Sequence, residues 1–141
     1  MSSGGINLVA VLAAAVAGFL FGGIWYGAFS RQALARSAKT DKPRPRLSRF
    51  RVDTVPLIVT FVAMLIMAYV LAGAMGTLEA GELTVRSGIV SALFAWAGFV
   101  MTSLVVGHMV EGVSGLATLV DAGHWLGVLV IQGAVIGWLG A

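Results

Sequence analysis

An all-α bundle of four transmembrane helices is the fold class the sequence predicts, and three observations predict it. Hydrophobic residues make up 59% of the 141-residue chain and charged residues only 11%, whereas a soluble domain is about half apolar and a quarter charged. The mean hydropathy is +0.97. Four apolar runs have the length of about 20 residues that crosses a bilayer as helix, and together they use most of the chain. Lipid cannot satisfy open backbone groups, so helices are the expected spanning form. The period-two alternation of barrel strands is absent.

The first run is Leu8 to Tyr26. It follows a polar, glycine-rich start without the basic residues of a secretory signal, so an uncleaved helix is expected. Small residues recur at four-residue spacing along it, Ala14, Gly18 and Gly22, which lets helix backbones approach closely in lipid. Trp25 and Tyr26 close the run, where amphipathic rings favour the headgroup layer. Asn7 reads as an interfacial polar residue at the opposite end.

A polar stretch, Gly27 to Asp53, follows. It holds eight of the nine basic residues in the chain. The excess of Lys and Arg places it in the cytoplasm. Within it, Phe29 to Ser37 is compatible with a short interfacial helix. Pro43 and Pro45 exclude regular helix around them, since proline lacks the N–H donor. Arg44, Arg46, Arg49 and Arg51 are candidate contacts to anionic lipid, each gaining about 1 kcal/mol near such a surface. The net charge of +3 is thereby explained by topology, and nucleic acid is not an expected partner.

The second run is Val55 to Met75, with Pro56 in its first turn, where a missing donor costs nothing. A short loop with Glu79, Glu82 and Arg86 leads to the third run, Gly88 to Met109. Its small, weakly polar face is Ser91, Ala95, Gly98 and Thr102, and Trp96 sits too deep for a headgroup belt. The fourth run, Ala117 to Leu139, carries Gly123, Gly127, Gly133 and Gly137, with Gln132 deep inside. Gly18, Gly22, Gly123 and Gly127 are the expected helix contacts. Counting crossings puts both termini outside and the Gly112 to Leu116 loop inside. The two hairpins show no repeat of the kind found in inverted-repeat transporters.

Four ionisable residues flank that last loop: His108, Glu111, Asp121 and His124. His108 and Glu111 are three apart and share a helix face, as do Asp121 and His124. In an antiparallel hairpin centred near Ser114, His108 falls level with Asp121. Glu111 lies nearer the surface and His124 one turn deeper. A charge inside a bilayer costs about 3 kcal/mol on insertion scales, so such groups are usually paired or face protein or water. A His108–Asp121 pair would lower that cost and lock the hairpin register. A proton or substrate relay near the cytoplasmic mouth is an alternative.

A metal site is a further possibility, because two carboxylates and two imidazoles resemble the ligands of di-iron bundles. Those bundles draw Glu from two further helices, however, and the first two runs here bring no carboxylate into the membrane. Haem between His108 and His124 is disfavoured by their different depths. With no cysteine in the chain, disulfides and thiolate ligands are excluded. Ser103, His108 and Asp121 lack the nucleophile elbow of a hydrolase, and no phosphate-binding loop is present. No cofactor or metal is predicted.

The chain resembles the small bacterial four-helix membrane proteins of domain-of-unknown-function family 1761. The resemblance rests on Asn7, Gly23-Ile24-Trp25-Tyr26, Trp96-Ala97-Gly98-Phe99, Glu111-Gly112 and Asp121-Ala122-Gly123-His124. It would span nearly the whole chain and departs in the Arg/Pro-rich loop. It implies four helices and no assigned activity, and the expected location is the bacterial inner (plasma) membrane. Small multidrug transporters share the size, but they depend on a glutamate in the first helix, and this one has none. The leading expectation is a non-enzymatic scaffold or subunit of a membrane complex, homo-oligomeric or within a larger assembly. A small-solute or proton transporter using the quartet is the alternative, and a membrane enzyme the third class.

Overall fold

The structure, a computed structural model, describes residues 5–37, 54–78 and 83–140. Among the described residues four helices are long and apolar enough to cross a membrane, which makes this a multi-pass membrane protein. The first helix is Leu8–Ser37, the second Thr54–Leu78, the third Val85–Glu111 and the fourth Gly115–Leu139. The fourth helix is central. It packs on the first helix and on the Val85–Ala95 part of the third, and the second packs on the first.

The first helix does not stop at Trp25-Tyr26, where the apolar run ends. It continues as one α-helix to Ser37, because nothing between Gly27 and Ser37 interrupts the backbone hydrogen bonds and no proline occurs before Pro43. Its start is held by Asn7, whose Oδ1 accepts from the N–H groups of Val9 and Ala10 at 3.2 Å each. The Asn7 amide also donates to Leu139 O at 3.3 Å. The start of the first helix and the end of the fourth therefore lie together at one end of the bundle.

The third helix begins at Val85, three residues before the apolar run, because Thr84 and Ser87 form a reciprocal capping box. Each satisfies a backbone donor that an uncapped helix start would leave open. Thr84→Ala is expected to lower stability by about 1 kcal/mol; an unchanged unfolding free energy in bicelles would show the cap to be dispensable.

Midway the third helix contains a π-turn, Trp96–Val100, in which the Met101 N–H reaches back to Trp96 O. The Thr102 hydroxyl lies 2.9 Å from Gly98 O and 3.1 Å from Phe99 O, so it satisfies carbonyls around the distortion. The turn also lets the Trp96 indole N–H donate to Ala122 O at 2.9 Å. Beyond it, Met101–Glu111 has no buried residue.

Gly112 ends the third helix in the left-handed region, with φ 73°. Val113 N–H bonds His108 O at 2.9 Å and Gly112 N–H bonds Met109 O at 3.3 Å, a Schellman-type stop. Ser114 then caps the fourth helix by accepting from Ala117 N–H at 3.2 Å. The connection is thus shorter than the Gly112 to Leu116 loop read from hydropathy, because Ser114 starts a helix that Gly115 and Leu116 join.

Two packing modes build the core. Between the third and fourth helices, backbone meets backbone. A Cβ on Gly88 would collide with Gly133 O, one on Gly133 with Gly88 O, and one on Gly137 with Thr84 O. Between the first and fourth helices, aromatic side chains of one fill glycine positions of the other. Phe21 covers Gly127, and a Cβ on Gly123 would stand 2.9 Å from the Trp25 ring. In return Gly18 faces Val128 and Gln132, and Gly22 faces His124. Close approach through small residues is how apolar helices associate where no hydrophobic driving force exists.

Candidate polar site

The first, third and fourth helices meet at the end of the bundle near the last hairpin. Asp121, on the fourth, accepts from the Tyr26 hydroxyl of the first at 2.7 Å. Its other oxygen faces His108 Nε2 of the third at 3.4 Å. His108 Nδ1 lies 2.9 Å from the Thr118 hydroxyl. A His108 ring with its proton on Nε2 points that N–H towards Asp121 and accepts at Nδ1 only when Thr118 turns its one hydroxyl proton away from Ser114 O, 3.0 Å off; a protonated ring donates to Thr118 instead. The side chains of His108 and Asp121 are 16% and 30% exposed, so the pair is only partly withdrawn from solvent. One carboxylate thereby ties three helices together.

Trp25 adds a parallel tie. Its indole N–H donates to Val120 O at 3.1 Å. Trp25 and Tyr26 therefore do not serve only as headgroup anchors, as their place at the end of an apolar run suggests. Because the helix continues past them, both reach the fourth helix and bond to it.

His124 lies on the other side of Asp121, and it does not join His108. It is 3% exposed and boxed in by rings, with centroids 4.6 Å from Tyr26, 4.7 Å from Trp125 and 6.4 Å from Phe21. Gly22 closes the remaining side: a Cβ there would stand 2.7 Å from His124 Nε2. Deeper still, Gln132 donates through Nε2 to Met64 O of the second helix at 3.1 Å. His124 Nδ1 and Gln132 Oε1 are buried without a hydrogen-bond partner, which is unusual in a protein interior.

Glu111 stands apart, exposed at the end of the third helix. With His108 it forms the polar end of an open groove of about 510 Å³, whose other walls include Phe99, Ser103, Gly107 and Trp125. The quartet is thus divided three ways: a His108–Asp121 pair, a His124 ring packed against the first helix, and a Glu111 carboxylate at a groove. Among the described residues no three His, Asp or Glu side chains converge as a metal site would need. Arg44, Arg46, Arg49 and Arg51 lie outside the described residues, as do Glu79, Glu82 and Asp53.

Sequence reasoning missed Tyr26 and Thr118 as partners of the pair and Gly88 as a contact. The partnership of Tyr26 depends on the first helix lying against the fourth with Gly22 level with His124, which the sequence does not specify. No curated protein and no solved structure matches the chain. The family described as protein of unknown function (DUF1761) matches residues 9–137. That stretch holds all four apolar helices together with Tyr26, His108, Asp121 and His124, and the chain belongs to this family of proteins of unknown function.

Proposed function

We propose that the protein is a non-enzymatic subunit or scaffold of a bacterial inner-membrane complex, and that its polar cluster is a structural clasp. One observation carries this reading: Asp121 is bonded by Tyr26 and faces His108, so side chains from three helices spend their polar groups on one another. The packing beside it points the same way. A path through the interior would need space at His124 and Gln132, and Gly22 and Gly18 already lie against those side chains. The proposed orientation puts the 27–53 stretch in the cytoplasm and both termini outside, on the strength of its Lys and Arg content. Arg44, Arg46, Arg49 and Arg51 are then proposed to lie against anionic lipid. Assembly as a homo-oligomer or within a larger complex belongs to the same proposal.

Asp121→Ala is expected to lower stability by about 2 kcal/mol, from one hydrogen bond and one ion-pair contact to its carboxylate at roughly 1 kcal/mol each. In a double-mutant cycle Tyr26→Phe should add little to it, because both variants break the same bond. Steric trapping in bicelles reads both quantities. The clasp reading is lost if Asp121→Ala leaves stability unchanged. It is also lost if the variant keeps its stability but abolishes proton or solute flux in liposomes. That second result would favour a transporter, the reading supported by the groove beside His108 and Glu111.

A further inference from the structure

The groove on the outer face of the last hairpin has a shape and charge that the clasp does not use. It lies between the third helix beyond its π-turn and Trp125 of the fourth. Its floor is opened by the absence of side chains: a Cβ on Gly107 would meet nothing within 4 Å. Phe99, 77% exposed, forms one edge of it. The volume of about 510 Å³ falls within the range of roughly 300–1,000 Å³ typical of small-molecule sites.

The electrostatics of the groove point in one direction. Glu111 sits at its end without an ion-pair partner among the described residues. Asp121, partly exposed, lies just behind His108. Among the described residues no Lys or Arg lines the groove. A carboxylate at the edge of an apolar cleft favours a positive charge over a negative one, and the effect grows as the local dielectric falls. Phe99 and Trp125 add ring faces, which attract cations by their quadrupoles.

We propose that this groove is a binding site for a membrane-dissolved organic cation, with its apolar body against Phe99 and Trp125 and its charge towards Glu111. The site opens sideways from the helix pair, so a ligand enters from the bilayer rather than through the bundle. The proposal does not rest on the clasp, and its failure would leave that reading unchanged.

Tetraphenylphosphonium and tetraphenylborate have the same shape and opposite charge, so together they isolate the electrostatic part. With the full chain in zwitterionic nanodiscs, tetraphenylphosphonium should shift the amide resonances of Ser103, Gly107 and Glu111 and the indole resonance of Trp125. Tetraphenylborate should leave them in place. Glu111→Gln, at an exposed position, should weaken phosphonium binding at least about fivefold. Equal shifts with both ions would overturn the proposal, as would unchanged affinity in Glu111→Gln. Shifts of the same resonances with protein concentration alone would overturn it too, since a second copy of the chain would then occupy the groove.

Discussion

Gly133→Leu is expected to prevent the third and fourth helices from closing on one another. Gly133 is buried, and a Cβ there would collide with Gly88 O. Overpacking a core usually costs about 1–3 kcal/mol, because neighbouring side chains rotate away. Here the obstacle is backbone on a regular helix, which can yield only if the whole helix moves. That movement would also separate Gly137 from Thr84 and Trp96 from Ala122 O. The cost should therefore exceed about 3 kcal/mol, a large share of the roughly 5–15 kcal/mol by which folded proteins are stable. Gly23→Leu is the matched control, since a Cβ at Gly23 meets nothing within 4 Å. Steric trapping in bicelles should find Gly23→Leu close to the parent and Gly133→Leu less stable by more than about 3 kcal/mol. Equal stability of the two variants would mean that the helices do not meet at Gly88 and Gly133.

Gly22→Leu is expected to cost about 2–3 kcal/mol by displacing His124. The first added atom would already stand 2.7 Å from His124 Nε2. The ring has few places to go, with Phe21, Tyr26 and Trp125 around it. Moving it would disturb Tyr26 and hence the bond to Asp121. A double variant, Gly22→Leu with His124→Ala, separates this mechanism from a general dislike of leucine at the site. If the clash with the ring is the cause, the second change should recover part of the lost stability, because the ring is no longer there to be displaced. No recovery in the double variant would place the damage elsewhere on the first helix. His124 ring resonances provide an independent readout and should shift strongly in Gly22→Leu.

The level pairing of His108 with Asp121 could be worked out from the hairpin alone. A glycine stop at Gly112 and a serine start at Ser114 leave a three-residue turn, and helical rise then fixes which positions face each other across it. The place of His124 could not be worked out that way. Its partners are on the first helix, and a one-dimensional pattern does not say which helices become neighbours when every helix is apolar all round. The same holds for Gly88. Nothing local distinguishes it from the exposed Gly98 or the half-buried Gly107 of the same helix. Trp25 and Tyr26 show a related gap: hydropathy ends at them, while backbone hydrogen bonding carries the helix on to Ser37.

What the sequence determined by itself was the number of helices, their approximate spans and the residues that close the last hairpin. Those follow from burial in lipid and from capping chemistry, both of which act over a few neighbouring residues. Only the tertiary structure decided the central place of the fourth helix, the three-helix tie at Asp121, the aromatic box around His124 and the backbone contact at Gly88 and Gly133. The physical reason is that lipid satisfies any apolar face equally well, so the choice of partner falls to shape and to a few hydrogen bonds between residues far apart in the chain.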